Sequence, residues 1–209
     1  MDRQKENWNQ YYSLYQKNIP DRWLKKYRNI FEKCGEVSVL DLGCGGGANI
    51  PFLLEQKVNI SACDYAEAAV GIVKAEYNID CRIADVRNAL PYQDAQFDIV
   101  ISDLSLHYFS EKETFGVLKR INRVMKRDGI FLIRVNAVGD IKHGFGKGEE
   151  VEKNYFFFEG RRKRFFDKEA ICQYFKQDFI IDSMTENISL KYKEEKVLWE
   201  IFARKKSIY

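Results

Sequence analysis

A short apolar run followed by four glycines in five residues sets strong limits on the fold of this chain. The run extends from Val37 to Leu42 and is nearly all apolar, and the glycine-rich segment covers residues 43–47. Such a run is typical of a buried parallel strand, and the glycines predict a tight turn after it. Residues 48–56 then have helical character. The sequence therefore predicts a strand, a turn and a helix in immediate succession, as at the start of an α/β domain.

Strand and helix patterns continue to alternate along most of the chain, which favours βαβ units and a parallel sheet. The further strands are predicted at residues 59–64, 81–84, 97–102, 130–135, 179–188 and 197–203. The helices are predicted at residues 66–77, 111–127 and 167–177. The polar link between the last two strands is too short for a parallel crossover, so these strands should pair antiparallel. The fold class is thus α/β, with a doubly wound, mostly parallel sheet.

Two segments fall outside this alternation. Residues 1–33 are rich in aromatic side chains and are predicted to form a helical N-terminal extension. Residues 137–160 are polar and glycine-bearing, then aromatic, which predicts an insertion after the fifth strand that covers a site. The run Phe156-Phe157-Phe158 is expected in a core strand more than in a substrate cage. Without repeats or a linker, the 209 residues are expected to form one domain over 1–209.

The composition argues against several classes of protein. With 45% hydrophobic and 31% charged residues the chain is globular, and a net charge of +3 does not by itself indicate nucleic-acid binding. The five cysteines include no C-x-x-C pair and there are two histidines, so no metal site is expected. The polar N-terminus and the lack of a long apolar run predict neither a signal peptide nor a membrane span. We expect a cytoplasmic monomer or homodimer with free thiols.

Three acidic residues lie near the ends of three predicted strands. Asp41 stands just before the glycines, Asp64 closes the second strand and Asp85 follows the third. Ligands of open α/β sheets bind outside the carboxyl ends of the strands, so these acids should line one crevice. Asp64 is placed to accept hydrogen bonds from ribose hydroxyls, and Asp85 from an adenine amino group. Each acid taken singly could instead cap a helix or a turn. The glycine segment could likewise be a turn that binds no ligand.

These residues resemble the motifs of class I S-adenosylmethionine-dependent methyltransferases. The segment Val39-Leu40-Asp41-Leu42-Gly43-Cys44-Gly45-Gly46-Gly47 is similar to the first motif of that family, and Asp64, Asp85 and Phe97-Asp98-Ile99-Val100 lie where its later motifs lie. The resemblance covers about residues 35–135. It implies a Rossmann-like methyltransferase fold whose seven strands are ordered 3-2-1-4-5-7-6, with the last strand antiparallel. The small size and the aromatic extension resemble bacterial methyltransferases of the tellurite-resistance and thiopurine type.

The resemblance also implies which residues bind S-adenosyl-L-methionine. The glycine turn would approach the methionine part of this cofactor, Tyr65, Asp85 and Val86 would lie at its adenine, and the residues after the fourth strand would border its sulfonium. Cys44 is expected as a small buried filler of the turn and not as a nucleophile. The cofactor-binding residues implied in this way are Asp41, Gly43, Cys44, Gly45, Asp64, Tyr65, Asp85, Val86, Ser102, Asp103 and Leu104.

The methyl acceptor has its own candidate residues. His107 lies five residues after Ser102, which makes it the candidate general base or acceptor contact, with a loop histidine bonded to backbone as the alternative. The run 161–164, Arg-Arg-Lys-Arg, is expected to be a solvated surface, with an anionic substrate or nucleic acid as the alternative. The other candidate substrate-contacting residues are Tyr11, Tyr12, Tyr108 and His143.

Methyl transfer to a small molecule is the function that these features favour. A methyltransferase acting on tRNA or rRNA is the alternative, although the segment Ser102-Asp103-Leu104-Ser105 stands where such enzymes carry an Asn-Pro-Pro-Tyr-like motif. An NAD-dependent oxidoreductase shares the glycine turn, but Asp41 and the antiparallel end of the sheet argue against it. A non-catalytic S-adenosylmethionine-binding protein is a further alternative, because methyl transfer needs few fixed groups.

Overall fold

The computed structural model describes residues 3–14, 22–32 and 36–207 as two sheets with helices around the larger one. The strands are β1 (Ser38–Leu42), β2 (Asn59–Asp64), β3 (Asp80–Ile83), β4 (Phe97–Asp103), β5 (Met125–Asn136), β6 (Glu149–Glu152), β7 (Tyr155–Phe158), β8 (Arg161–Arg164), β9 (Phe179–Ser189) and β10 (Lys196–Lys205). The helices are α1 (Arg3–Leu14), α2 (Arg28–Phe31), α3 (Ile50–Glu55), α4 (Glu67–Glu76), α5 (Glu111–Val124) and α6 (Lys168–Phe175).

The larger sheet confirms the predicted fold class and strand order. Seven strands lie in the order β3-β2-β1-β4-β5-β10-β9, which is 3-2-1-4-5-7-6 when the strands of this sheet are counted along the chain. The first five pair in parallel, and β10 is antiparallel to both of its neighbours. β1 and β4 bury almost every side chain because helices cover both faces of the sheet. The carboxyl ends of the parallel strands therefore share one open edge.

The junction of α5 and β5 differs from the sequence prediction. A helix is predicted over residues 111–127, whereas α5 ends at Val124 and leads directly into β5. The N–H group of Gln96 donates to the carbonyl oxygen of Val124 at 2.8 Å, so the loop before β4 satisfies the end of the helix. Met125 then pairs with Phe97 in the sheet. A tertiary hydrogen bond and strand pairing override the local helical pattern here.

The segment after β5 forms a second sheet, which extends beyond the predicted boundary at residue 160. β7 pairs antiparallel with β6 and with β8. This basic run, expected to be solvated over 161–164, is strand β8: Arg161 and Arg162 are exposed as expected, whereas the expectation is wrong for Arg164, which is only 3% exposed. The Arg164 side chain donates to the carbonyl oxygens of Phe109 and Lys153 and lies 4.7 Å from the centroid of the Tyr155 ring. Arg164 also forms an ion pair with the Glu152 carboxylate of β6. The ion pair and the two carbonyl oxygens, which are far apart in the sequence, make burial of the cation possible.

The three phenylalanines of β7 differ in burial. Phe156 is buried against Phe145 and Phe165, whereas Phe157 and Phe158 are exposed. The expectation of a core strand is therefore confirmed for Phe156 and wrong for the two that follow it. Burial does not alternate along this strand, since its first two residues, Tyr155 and Phe156, are buried and its last two are exposed.

The N-terminal extension is helical where it is described, and its first helix packs on α4. Lys5 Nζ lies 2.7 Å from Glu67 Oε1, and Asn9 Oδ1 accepts a hydrogen bond from the Ala68 N–H at 3.1 Å. Residues 1–2, 15–21 and 33 of the predicted extension lie outside the described residues. No helix within the described ranges is long and apolar enough to cross a membrane.

Candidate functional site

The glycine turn after β1 leaves no room for side chains at two positions. Gly43 and Gly45 have φ angles of +71° and +53°, a region that glycine adopts at low cost. A Cβ atom on Gly43 would overlap Ser105, and one on Gly45 would overlap the hydroxyl group of Tyr12. The Gly43 N–H donates to the carbonyl oxygen of Cys63 at 2.8 Å, which fixes the turn to the end of β2. Both positions thus require glycine, because of their φ angles and because Ser105 and Tyr12 fill the space beside them.

Asp64, at the end of β2, connects the glycine turn with the start of α4. Its two carboxylate oxygens accept hydrogen bonds from the N–H groups of Gly45 and Ala66, both at 2.8 Å. Burial raises the pKa of Asp64, and the backbone donors counteract this rise. Asp64 therefore has a structural role as a turn cap, and it also lines the cavity described below. Capping and ligand binding are compatible, since a carboxylate has about four lone-pair sites.

Asp85, after β3, is held by its neighbour Arg87. The guanidinium contacts both carboxylate oxygens at 2.9–3.1 Å and also donates to the Tyr65 hydroxyl at 3.0 Å. Arg87 lies 5.3 Å from the centroid of the Tyr65 ring. The three side chains form one wall of the cavity, and Val86 lies between them. Arg87 was not predicted from the sequence, although it stands only two residues after the acid that it binds.

Asp41 and Ser102, two of the predicted cofactor-binding residues, lie behind the cavity wall and not in it. Asp41 is fully buried, and its Oδ1 accepts a hydrogen bond from Asn49 Nδ2 at 3.1 Å. Its other oxygen has no partner among the described residues, and burial raises its pKa to about 7. The Ser102 hydroxyl lies 2.6 Å from that of Ser105, which in turn donates to the carbonyl oxygen of Leu42. Both side chains are fully buried, and they support the turn through Asn49 and Ser105.

Asp103 and Leu104, at the end of β4, do border the cavity. The Asp103 carboxylate is bound on both oxygens by the guanidinium of Arg134, which is 3% exposed and lies 4.7 Å from the centroid of Trp23. Leu104 has a φ angle of +55°, a strained region for a residue with a side chain. The ion pair leaves Asp103 without net charge to offer to a ligand.

His107 lies in a short 3₁₀ turn just beyond β4, in the wall of the same cavity. The ring is 3% exposed and packs against Tyr108, with 4.1 Å between the two centroids. Its Nδ1 atom has no hydrogen-bond partner within the part of the chain that the structure describes. Burial, with the charges of Lys196 and Lys163, holds the pKa of His107 well below its usual value, so the ring is neutral at pH 7. The alternative of a histidine bonded to backbone is not what the structure gives.

His143 is oriented by a carboxylate that the sequence analysis did not single out. His143 Nδ1 and Asp140 Oδ1 are 2.7 Å apart, and Lys196 Nζ donates to the other oxygen of Asp140 at 2.7 Å. Asp140 is 1% exposed and also accepts the N–H of Val197 at the start of β10. This cluster joins the segment after β5 to β10. No sequence pattern indicates it, because Asp140 and Lys196 are 56 residues apart.

The aromatic side chains of α1 lie over the glycine turn and against Tyr108. Trp8 contacts the rings of Tyr12 and Tyr108, with centroids 5.9 and 5.5 Å away, and Tyr11 packs on Tyr12 at 5.1 Å. Trp8, Tyr11 and Tyr12 all line the cavity. The extension therefore forms one side of the site, which a role in packing on the sheet alone would not require.

One cavity of about 510 Å³ brings most of the predicted residues together at the carboxyl edge of the sheet. The predicted site residues that line it are Gly43, Cys44, Gly45, Asp64, Tyr65, Asp85, Val86, Asp103, Leu104, Tyr11, Tyr12, His107, Tyr108 and His143. The lining residues that the sequence analysis did not assign to the site include Trp8, Arg87, Arg161, Lys163, Lys191, Tyr192 and Lys196. The three lysines lie in polar segments, where a pattern gives no sign that a side chain turns inward.

Cys44 is the small buried filler that the sequence predicts. The thiol is 6% exposed and donates to the carbonyl oxygen of Gly45 at 3.5 Å. A hydrogen bond with the Cys81 thiol and burial raise the pKa of Cys44, which makes a nucleophilic thiolate unfavourable. Within the described ranges, no three His, Cys, Asp or Glu side chains are grouped to hold a metal ion.

Comparison with known proteins agrees with the fold and the motifs. Residues 39–129 match the model of a methyltransferase domain family. A probable S-adenosylmethionine-dependent methyltransferase of Mycolicibacterium smegmatis is 28% identical over 108 residues, 51% of this chain and 41% of the relative. The tRNA N(3)-cytidine methyltransferase METTL2 of Gallus gallus is 23% identical over 171 residues, 75% of this chain and 46% of the relative. The chain thus spans less than half the length of both relatives.

A solved structure shows the same fold with a ligand. The 1,6-didemethyltoxoflavin-N1-methyltransferase of Burkholderia thailandensis, determined with 1,6-didemethyltoxoflavin and S-adenosylhomocysteine, is similar with a TM-score of 0.66 and 19% identity, over 88% of this chain and 78% of that one. The chain therefore has the fold of the class I S-adenosylmethionine-dependent methyltransferases. Within this fold, the match to the methyltransferase domain family covers the part from β1 to the start of β5.

Proposed function

We propose that this protein transfers the methyl group of S-adenosylmethionine to a small-molecule acceptor. One observation carries the proposal: the glycine turn, Asp64 and Asp85 open onto a single cavity at the carboxyl edge of the sheet. This is the place where open α/β sheets bind their ligands. Gly43 and Gly45 both line this cavity, and as glycines they present only backbone to it.

Each part of the cofactor has a group of residues in the cavity that suits it. The turn at Gly43 and Gly45 would lie along the methionine part. Asp64 would accept from the ribose hydroxyls with the lone pairs that its backbone donors leave free. Tyr65 and Val86 would lie on the adenine, and the Asp85–Arg87 pair at its edge. Asp41 does not reach the cavity, so it would affect cofactor binding only by holding the glycine turn in place.

Bound S-adenosylmethionine supplies a methyl group that is electrophilic because it is attached to a positively charged sulfur. In the transfer, a lone pair of the acceptor bonds to the methyl carbon while the carbon–sulfur bond breaks, and the sulfur keeps that electron pair. The chain mainly positions the two partners, which can contribute on the order of 7–11 kcal/mol. His107 would take the proton from a hydroxyl or amine acceptor, since its ring is neutral at pH 7. A thiolate or an oxyanion acceptor needs no base.

Calorimetric titration tests the cofactor part of the proposal. We expect S-adenosylmethionine and S-adenosylhomocysteine to bind and NAD to give no heat. Binding of NAD without a response to S-adenosylhomocysteine would instead support an oxidoreductase. The acceptor is then sought by offering thiols, tellurite, selenite, amines, phenols and tRNA, with release of S-adenosylhomocysteine as the readout. A thiol, tellurite or selenite acceptor would support the finer proposal of a tellurite-resistance or thiopurine type.

A second candidate function is methylation of a tRNA. It is favoured by the match of 75% of this chain to the tRNA N(3)-cytidine methyltransferase METTL2. The same panel separates the two, because a tRNA methyltransferase releases S-adenosylhomocysteine with tRNA and not with small acceptors. A protein that binds the cofactor and turns over none of the acceptors would fit the non-catalytic alternative.

A further inference from the structure

The part of the cavity wall formed by β8, the turn after β9 and the start of β10 carries several positive charges. Two of them come from β8, one from the turn between β9 and β10, and one from the first residue of β10. These basic side chains are Arg161, Lys163, Lys191 and Lys196. The carboxylates that line the same cavity are Asp64, Asp85 and Asp103, and the last two are already bound by arginines.

Two of the cations have no carboxylate partner in the described part of the chain. Lys163 Nζ donates to the backbone carbonyl oxygen of His143 at 3.3 Å, and the Arg161 guanidinium lies 6.0 Å from the centroid of Trp8. Lys196 is neutralised by the buried Asp140. Burial and the neighbouring Lys196 and Arg161 lower the pKa of Lys163. The cluster thus holds more positive than negative charge, which is costly unless an anion is bound there.

We infer that this part of the cavity is the acceptor subsite and that it takes a small acceptor bearing an anionic oxygen group, such as a carboxylate or a phosphate. Lys163 and Arg161 bind that group. The inference rests on the proposed function, whose acceptor class it specifies. The aromatic rings of Tyr108 and Tyr192 stand beside the cations, with His107 and His143 next to them, and suit a flat acceptor body.

The burial of the cluster favours a small anion over a nucleic-acid backbone. Lys196 is 6% exposed and Lys163 is partly buried, so both face the interior of a cavity. Contacts to a polyanion are made by lysines and arginines on an open surface. On β8, Arg161 and Arg162 are both exposed, but only Arg161 lines the cavity.

Matched pairs of charged and neutral probes test the inference. Protein saturated with S-adenosylhomocysteine is titrated with benzoate and benzamide, and with phenyl phosphate and phenol. We expect at least one anion to bind 10-fold or more tightly than its neutral partner. Lys163→Gln should remove most of this preference, whereas Lys147→Gln, an exposed lysine outside the cavity, should not. No preference for either anion, or one that survives Lys163→Gln, would overturn the inference.

A second comparison tests whether Lys163 and Arg161 bind the carboxylate of the cofactor instead of an anionic group of the acceptor. Affinities for S-adenosylhomocysteine and for 5′-methylthioadenosine, which lacks that carboxylate, are measured in Lys163→Gln and Arg161→Gln. We expect both affinities to stay within about 3-fold of the wild type. A loss confined to S-adenosylhomocysteine would overturn the inference and leave the proposed function intact. If the wild type bound neither, the proposed function would fail, and the anion titration without cofactor would still test the subsite. Binding of tRNA that Arg162→Gln weakens and Lys163→Gln does not would also overturn the inference.

Discussion

Asp64 joins parts of the site that lie on different elements. It accepts N–H groups from the glycine turn and from the start of α4 while it lines the cavity. A carboxylate in this position both shapes the turn and offers lone pairs to a ligand. These two roles differ in what they predict for ligands with and without ribose hydroxyls.

Asp64→Ala should weaken the binding of S-adenosylhomocysteine by 10-fold or more. Hydrogen bonds to a charged group contribute roughly 1.5–3 kcal/mol each, and about 1.4 kcal/mol is a factor of ten. Calorimetry measures the affinity, with Asp80→Asn, an exposed acid on β3, as the control. An analogue without ribose hydroxyls separates the roles. If the variant binds this analogue as weakly as it binds S-adenosylhomocysteine, relative to the wild type, Asp64 acts only as a cap.

His107 should matter more for turnover than His143 when the acceptor is a hydroxyl or an amine. A positioned base typically contributes about 10²–10⁴-fold, and His107 follows the end of β4 closely. His107→Gln should lower kcat by that order with unchanged cofactor affinity. Because the pKa of His107 lies well below its usual value, activity should persist below pH 6.

His143→Gln is the matched comparison. His143 is oriented by Asp140, which also binds Lys196, so the substitution should affect acceptor binding more than kcat. A larger kcat loss in His143→Gln than in His107→Gln would assign the base to His143. Full activity in both variants would remove both rings from proton transfer and point to a soft acceptor.

Asp41 should make the free protein less stable as the pH rises from about 4 to 7. Its folded pKa of about 7 exceeds the unfolded value of about 3.9, so the folded state binds more protons between these values. The unfolding free energy should fall by about 1–3 kcal/mol from pH 5 to pH 7, at about 1.4 kcal/mol for each pKa unit. Urea denaturation of the wild type and Asp41→Asn at both pH values measures the effect. Equal pH dependence in the two proteins would contradict it.

At the scale of elements, α1 and the sheet of β6, β7 and β8 pack together beside the cavity. Trp8 of α1 contacts Tyr108, and Arg161 of β8 lies over the Trp8 ring. Tyr155 of β7 donates to the carbonyl oxygen of Tyr108 at 3.0 Å. Both elements therefore contact the 3₁₀ turn that carries His107. They also contact each other, and together they cover the cavity.

Residues 3–14 and 149–164 should exchange amide hydrogens more slowly when ligand is bound. A cover over an active site closes when its ligand adds contacts and excludes water. Hydrogen exchange is measured with and without S-adenosylhomocysteine, alone and with an acceptor. β9, at the far edge of the sheet, is the internal control and should not change. Unchanged protection in both segments under all conditions would make them structural additions only.

At the scale of the whole molecule, the cofactor should stabilise the fold as a unit. The residues proposed to bind it come from the glycine turn and the segments after β2 and β3, so unfolding of any of these parts releases the ligand. Such linkage depends only on the affinity of the folded state and the ligand concentration.

S-adenosylhomocysteine at about 100 times its Kd should raise Tm by about 5–10 °C. This concentration corresponds to about 2.7 kcal/mol, and a domain of this size gains about 2–4 °C per kcal/mol. Differential scanning fluorimetry gives Tm, with NAD at the same concentration as the control ligand. A shift with NAD and none with S-adenosylhomocysteine would contradict the proposed cofactor.

The sequence determined the parallel core and the cofactor side of the cavity. The run from Val37 to Leu42, the glycines after it and the acids Asp64 and Asp85 are local signals, since strand, turn and acid follow one another along the chain. Sheet order then follows from the family resemblance and from the short link between the last two strands. In a parallel sheet the carboxyl ends share one edge, so residues that follow the strands are expected to lie close together. No other signal in the sequence is needed to predict this.

Only the tertiary structure decided which polar residues face inward at the proposed acceptor subsite. Asp140, Lys163 and Lys196 stand in polar segments that look solvated, and their contacts span 20 to 56 residues. Arg164 is buried because the Glu152 carboxylate pairs with it and carbonyl oxygens from two separate loops accept its hydrogen bonds. Burial of a charge depends on partners brought from elsewhere in the chain, and no local pattern records where those partners are.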